Sequence, residues 1–160
     1  MGGRRRILFL CTGNCFRSQM AEAILRHADP VLFEALSAGS QPAGFIHPLA
    51  LRVLEEMHVP VIEQHSKSWD EFLNGDLDLL ITVCDSAADE VCPIWPGRPP
   101  TVHWPMPDPT FMPGADEDRL GAARLVAQRL TLKIQRLVAL DWEKHDADDL
   151  GDELKKIGEL

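Results

Sequence analysis

A cysteine and an arginine separated by five residues are the first candidates for chemistry in this sequence. Cys11 and Arg17 enclose a stretch that contains Gly13 and Asn14, two residue types that favour tight turns. A loop of this length can wrap its backbone N–H groups around a tetrahedral oxyanion, and the arginine can hold two of its oxygens. The same positive surroundings favour the thiolate of Cys11, which is a nucleophile. The predicted oxyanion-binding loop consists of Thr12, Gly13, Asn14, Cys15, Phe16, Arg17 and Ser18.

Two further cysteines, Cys84 and Cys92, lie eight positions apart and form a candidate redox pair. Cytosolic cysteines that act are usually catalytic, redox-active or metal-bound, because structural disulfides are rare there. Eight residues of helix span about 12 Å, whereas a disulfide needs Cα atoms within about 7 Å. A helical segment would therefore have to unwind to form the bridge, which would expose it to a reductant. The alternatives are plain packing of both cysteines, or a zinc site with His103 that lacks the usual paired ligands.

The elements around these residues alternate between strand and helix patterns. Arg6–Leu10 is a nearly continuous apolar run that predicts a buried parallel strand, and Ser18–His27 has the spacing of an amphipathic helix capped by Ser18 or a neighbour. Such alternation predicts a parallel sheet covered by helices on both faces. The other predicted strands are Leu32–Ala38, Leu77–Val83 and Thr101–Trp104, and the other predicted helices are Pro48–Met57, Ser68–Leu73 and Asp116–Leu140.

Three candidate residues each follow a predicted strand. Cys11 follows the first strand, Cys84 the third and Asp108 the fourth. Ligands of parallel sheets bind beyond the carboxyl ends of the strands. We therefore expect these three residues to project from one edge of the sheet into one site.

Composition limits the function classes. The chain has 25 acidic against 16 basic residues, a net charge of −9, so general electrostatic binding of nucleic acid is not expected. No apolar run reaches the ~18–20 residues of a membrane span, and no signal-peptide pattern is present, which predicts a cytoplasmic protein. We predict a single catalytic domain over residues 1–140, followed by an acidic C-terminal tail over residues 141–160 that is either loosely helical or disordered.

The motifs also resemble a known family. The stretch ILFLCTGNCFRSQMAEA is similar to the arsenate reductases of the low-molecular-weight protein tyrosine phosphatase superfamily, of the thioredoxin-coupled type. The similarity continues through SAGSQPAG, HPLALRVLEE, SKSWDEF and ITVCDSAADEVCP, and covers roughly residues 5 to 140. It implies a four-stranded parallel sheet flanked by helices, the Rossmann-like fold of those phosphatases.

The resemblance implies a role for each matching residue of the loop. Cys11 would be the nucleophile, Arg17 the oxyanion clamp and Asp108 the general acid. Asn14 and Ser18 would shape the loop and support the thiolate. The implied activity is the reduction of arsenate to arsenite.

The resemblance also implies a thiol/disulfide cascade. Cys84 would attack Cys11 and release arsenite, and Cys92 would then move the bridge to Cys84–Cys92. Thioredoxin, glutaredoxin with glutathione, or mycothiol would reset the enzyme, which is expected to be a monomer without cofactor or bound metal. Cys15 stands where relatives often carry a small residue, and either packs inertly or forms an off-pathway disulfide with Cys11.

One departure from the family concerns an alkali cation. Some relatives bind potassium near the loop through an asparagine, a glutamate, a serine and an aspartate. Asn14, Glu22 and Ser37 match the first three, whereas Lys67 stands in place of the aspartate. We hypothesise that the lysine ammonium substitutes for the ion.

Two other functions compete with the reductase. A low-molecular-weight protein tyrosine phosphatase would use only Cys11, Arg17 and Asp108. Such phosphatases generally carry aromatic residues after the Asp-Pro pair, whereas Thr110 follows here, and the chain has no tyrosine. The second cysteine pair is also not needed by a phosphatase. A non-catalytic oxyanion or redox sensor is the third possibility, although binding alone needs no general acid.

Overall fold

Four parallel strands and four α-helices make up the part of the chain that the structure describes. This computed structural model describes residues 4–73, 76–83, 99–107, 109, 114–143 and 147–160. In chain order the elements are β1 (Arg5–Cys11), α1 (Arg17–Ala28), β2 (Phe33–Gly39), α2 (Pro48–Glu56), a short 3-10 helix (Trp69–Phe72), β3 (Leu79–Thr82), β4 (Thr101–His103), α3 (Asp116–Ala139) and α4 (Ala147–Gly158).

The strands form one sheet in the order β2-β1-β3-β4, with every neighbouring pair parallel. The predicted four-stranded parallel sheet flanked by helices is confirmed. The register pairs Cys11 with Gly39 and Leu10 with Thr82, and Thr82 with His103. The carboxyl ends of all four strands therefore meet at one edge, as the positions of the candidate residues require.

Alternate side chains of β1 enter two hydrophobic clusters, which explains its apolar sequence. Ile7 and Phe9 lie in the larger cluster, together with the buried faces of the four helices. Leu8 and Leu10 lie in a smaller cluster on the other face, against the 3-10 helix Trp69–Phe72. Both faces of the strand are buried, so β1 is a rigid base for the loop that follows it.

The acidic segment at the end of the chain contains helix α4, which packs onto the rest of the molecule. Leu154 and Ile157 are buried in the larger cluster. Of the two alternatives for this segment, the helix is confirmed over Ala147–Gly158, and it is packed rather than loose because some of its apolar residues reach the core. The division into a domain at 1–140 and a tail at 141–160 stays a prediction. None of the helices in the described ranges is long and apolar enough to cross a membrane.

Candidate active site

The loop between β1 and α1 turns its carbonyl groups outward. The carbonyl oxygens of Thr12, Gly13 and Cys15 accept hydrogen bonds of 2.9, 2.9 and 2.8 Å from the backbone N–H groups of residues 41, 43 and 47, respectively. In a trans peptide the carbonyl and the following N–H point in opposite directions. The N–H groups that follow these carbonyls therefore face the inside of the loop, as an oxyanion cradle requires.

The sulfur of Cys11 lies at the base of this cradle, where it contacts a backbone N–H group and a hydroxyl group. The backbone N–H of Asn14 donates to Cys11 Sγ over 3.2 Å, and Ser18 Oγ lies 2.9 Å from the same sulfur. Asn14 Nδ2 donates to Ser18 Oγ over 2.8 Å. These contacts hold the buried sulfur and the Ser18 hydroxyl in place at the base of the loop.

The sequence predicted that Ser18 or a neighbour caps α1, but no side chain makes the cap hydrogen bond. Phe16 occupies the N-cap position without a side-chain cap bond, and Ser18 lies within the first turn. Its hydroxyl bonds to Cys11 rather than to the backbone of its own helix. The first N–H groups of a helix have no partner within the helix, and an anion beside the start of α1 would complement them.

Asn14, rather than Gly13, carries the unusual backbone conformation of the loop. Asn14 has a φ of 46°, in the left-handed region that asparagine tolerates better than most residues. Gly13 is not among the described glycines with positive φ. Glycine matters instead at Gly39, where an added Cβ would lie 2.5 Å from Thr12 O and 2.9 Å from Cys11 O.

Arg17 is buried and held against the segment that follows β4. Its Nη1 donates a hydrogen bond of 2.9 Å to the carbonyl oxygen of Met106, whose own side chain is fully buried. This contact fixes the guanidinium beside the loop. Asp108 lies two positions after Met106 in the sequence but outside the described residues.

A buried polar network supports the loop from beneath. Asn14 Oδ1 accepts hydrogen bonds from the backbone N–H of Lys67 (2.9 Å) and from Gln19 Nε2 (3.0 Å). Gln19 Nε2 and Lys67 Nζ both donate to the carbonyl of His65, over 2.9 and 2.8 Å. The side chain of Asn14 thus connects the loop between β1 and α1 to the segment that carries Lys67.

The residues matched to an alkali-cation site lie together in this network. Lys67 Nζ is 3.6 Å from Glu22 Oε1, and Ser37 Oγ donates to the same oxygen over 2.6 Å. Arg26 Nη2 binds the other carboxylate oxygen of Glu22 at 2.7 Å. The ammonium group therefore lies next to the oxygen atoms that would surround a cation.

Phe16 and Cys15 occupy different environments. Phe16 is fully buried, and its ring centroid lies 5.4 Å from that of His47, whose Nδ1 caps α2 by accepting from Leu49 N. Cys15 is half-buried and is not bridged to Cys11. The geometry is that of a packing residue at position 16 and an accessible thiol at position 15.

The two strands that lead to Cys11 and Cys84 are joined by a hydrogen bond at their ends. The backbone N–H of Val83 donates to Leu10 O over 2.9 Å, and each of these residues immediately precedes a candidate cysteine. Cys84, Cys92 and Asp108 themselves lie outside the described residues.

His103, the third residue of the alternative zinc site, lies on β4 with its Nδ1 2.6 Å from Thr82 Oγ1. Within the described part of the chain, no group of three or more His, Cys, Asp or Glu side chains is placed to hold a metal.

Several residues that position the site were not identified from the sequence. They are Gln19, Gly39, His47 and Met106, which contact the loop through backbone groups or by close approach. Gln19 lies among other polar residues in the first turn of α1, so its position carried no signal. His47 and Met106 act through backbone atoms and Gly39 through its lack of a side chain, and only the tertiary structure shows these roles.

Comparison with known proteins agrees with this geometry. A sequence profile described as low molecular weight phosphotyrosine protein phosphatase matches residues 6–118. An arsenate reductase of Halalkalibacterium halodurans is 36% identical over 132 residues, which are 82% of this chain and 94% of that protein.

Two solved structures share the architecture. The crystal structure of an arsenate reductase from Archaeoglobus fulgidus has a TM-score of 0.66 and 29% identity, over 84% of this chain and 99% of the other. A thioredoxin-dependent arsenate reductase of Corynebacterium glutamicum has a TM-score of 0.60 and 30% identity, over 84% of this chain and 63% of the other.

Proposed function

The chain belongs to the low molecular weight phosphotyrosine protein phosphatase family, and we propose that within it the chain acts as an arsenate reductase. The loop chemistry alone does not separate the two activities, because phosphate and arsenate are both tetrahedral oxyanions. One observation supports the reductase: the hydrogen bond between Val83 and Leu10 joins the strands just before Cys84 and Cys11. Val83, which immediately precedes Cys84 in the sequence, therefore lies at the strand edge beside the residue that precedes the nucleophile.

The first step uses the cradle. The inward N–H groups of the loop and the guanidinium of Arg17 bind the arsenate oxygens, and the thiolate of Cys11 attacks the arsenic. Asp108 donates a proton to the departing oxygen, which leaves as water. The product is a covalent bond between Cys11 sulfur and arsenic(V).

The second step is the reduction. The thiol of Cys84 attacks the sulfur of Cys11, a disulfide forms, and the electron pair of the sulfur–arsenic bond remains on arsenic. Arsenic gains two electrons and leaves as arsenite, while two thiols are oxidised. Cys92 then attacks Cys84, which frees Cys11 and leaves a Cys84–Cys92 disulfide.

An external thiol donor must return this disulfide to two thiols. Thioredoxin is the first candidate, because a structural relative is a thioredoxin-dependent arsenate reductase. Glutaredoxin with glutathione, or mycothiol, would do the same chemistry. The cycle needs reduced thiols at rest, which supports a cytoplasmic location, and one chain carries every residue that the mechanism uses.

The second candidate function is phosphate ester hydrolysis. The same cradle would bind a phosphoryl group, and water would hydrolyse a phosphocysteine without any second thiol. This reaction needs Cys11, Arg17 and Asp108 but neither Cys84 nor Cys92. Substitution of Cys84 therefore separates the two functions.

Arsenite release with thioredoxin, thioredoxin reductase and NADPH tests the proposal, alongside hydrolysis of an aryl phosphate. We expect sustained arsenite release by the native chain, and at most one arsenite per molecule from Cys84→Ser. The Cys84→Ser variant should hydrolyse the aryl phosphate as fast as the native chain, whereas Cys11→Ser should do neither reaction.

The other outcomes are also informative. Sustained arsenite release by Cys84→Ser would refute the cascade. Hydrolysis without arsenate reduction by the native chain would leave a phosphatase. Binding of the oxyanion without either reaction would leave a sensor.

A further inference from the structure

The end of helix α4 is held to α3 by a buried lysine. Lys133 Nζ donates to the carbonyl oxygens of Ile157 (3.3 Å), Gly158 (2.9 Å) and Leu160 (3.1 Å). Ile157 and Gly158 belong to the last turn of α4, where the helix dipole is negative, and Leu160 lies two residues beyond the helix. The ammonium group therefore fixes both the position and the rotation of the last turn of α4.

This last turn encloses the side chain of Trp104. The indole N–H of Trp104 donates to Leu154 O over 3.0 Å, and the ring is fully buried. A Cβ at Gly158 would lie 2.6 Å from Trp104 Cδ1 and 3.1 Å from His103 O. Glycine at position 158 is thus what allows the helix to approach the indole this closely.

Trp104 in turn determines the position of the partner of Arg17. Its backbone N–H donates to Thr82 O over 2.7 Å, and two residues later the carbonyl of Met106 accepts the hydrogen bond from Arg17. Two residues of chain span about 7 Å at most, so a shift of Trp104 would also shift Met106. The side chain of Met106 is buried as well, so movement of one is coupled to movement of the other.

We infer that α4 is a positioning element of the active site, and that Trp104 and Gly158 hold Met106 where its carbonyl orients the Arg17 guanidinium for oxyanion binding. Neither Trp104 nor Gly158 touches the oxyanion; both act through Met106. The inference rests on the proposed function only in taking Arg17 as an oxyanion ligand. It gives the acidic segment at the end of the chain a role in substrate binding.

Two glycines of the same helix provide a matched test. Gly158→Ala places a methyl group against Trp104, whereas Gly151→Ala places one where nothing lies within 4 Å. Both substitutions raise helix propensity. The readout is the dissociation constant of inorganic phosphate, measured as protection of Cys11 from alkylation by iodoacetamide, with the modified cysteine identified by mass spectrometry.

We expect Gly158→Ala to weaken phosphate binding about tenfold, because a displacement of about 1 Å at a positioning group can cost up to about a hundredfold. The arsenate KM should rise by a similar factor, with a smaller change in kcat. Gly151→Ala should bind phosphate like the native chain. Trp104→Phe, which removes only the indole N–H and one ring, should weaken phosphate binding about threefold. This variant provides the test if Gly158→Ala does not fold.

Three results would overturn the inference. One is a lower melting temperature for Gly158→Ala with unchanged phosphate binding, which would indicate a purely structural role. Another is equal weakening by Gly151→Ala, which would trace the effect to helix propensity. The third is an absence of phosphate protection in the native chain, which would also remove the oxyanion site and with it the proposed function.

Discussion

Two regions of the molecule are each built around a buried lysine, and they compensate its charge differently. Lys67, 9% exposed, lies beneath the catalytic loop with its ammonium 3.6 Å from the carboxylate of Glu22. Lys133, 2% exposed, lies at the end of α4, and its described hydrogen bonds all go to backbone carbonyls. One ammonium faces a carboxylate side chain, and the other faces main-chain oxygens of the last turn of α4 and of Leu160.

The surroundings of Lys133 shift its pKa. Burial lowers the pKa of Lys133, and the positive charge of Arg129 lowers it further. Helix-end carbonyls therefore orient the ammonium without fully replacing its hydration. The region beneath the loop is an electrostatic support, whereas the end of α4 is a geometric one.

The largest effect should come from breaking the network beneath the loop at Asn14. Asn14→Ala removes three side-chain hydrogen bonds and leaves a non-glycine residue with positive φ, so we expect a loss of about 3–5 kcal/mol in stability and about a hundredfold in kcat/KM. Urea denaturation measures the loss of stability, and steady-state kinetics measure the loss in kcat/KM. Asn14→Gly is the control. Glycine tolerates the positive φ, so this variant should be more stable than Asn14→Ala by only about 1 kcal/mol. Full activity in Asn14→Gly would show that the amide bonds do not support the loop.

A smaller effect is expected from Lys67. Lys67→Met removes one cation from Glu22, which keeps Arg26 and Ser37, so we expect a loss of about 2 kcal/mol, less than the ~3–5 kcal/mol of a fully orphaned buried charge. Urea denaturation measures the loss. If the ammonium replaces an alkali ion, the stability of the native chain should be the same in potassium and sodium chloride at equal ionic strength. Stabilisation of the native chain by potassium alone would contradict this.

The smallest effect should come from Lys133. Lys133→Met should cost about 1 kcal/mol near neutral pH, because the carbonyls that it leaves lie at a helix end within reach of water. The folded pKa is lowered, so between that value and the usual 10.5 the unfolded chain binds more protons and stability rises with pH. The native chain should thus gain stability relative to Lys133→Met as the pH rises through the lowered pKa toward 10.5. Urea denaturation of both chains at several pH values measures this trend. If the stability of the native chain relative to Lys133→Met fell as the pH rose, a lowered pKa of Lys133 would be contradicted.

Sequence patterns predicted the elements of the fold closely because those patterns are local. The apolar run at Arg6–Leu10 lies inside β1 (Arg5–Cys11), and the helical spacing at Asp116–Leu140 matches α3 (Asp116–Ala139) within one residue. The pattern misjudged the last segment, where charged residues outnumber apolar ones but Leu154 and Ile157 still reach the core. Burial of a few side chains outweighs average composition when a partner surface exists.

The sequence predicted the reactive residues of the candidate site but not the contacts that hold them in position. The sequence alone determined that a thiol, an arginine and a turn-forming loop lie between a strand and a helix, because hydrophobic periodicity and turn preferences act over a few residues. Only the tertiary structure decided that Lys67 meets Asn14 across 53 positions, Met106 meets Arg17 across 89 and Leu154 meets Trp104 across 50. These contacts depend on the path of the chain, and most of them use backbone atoms that are the same for every residue type.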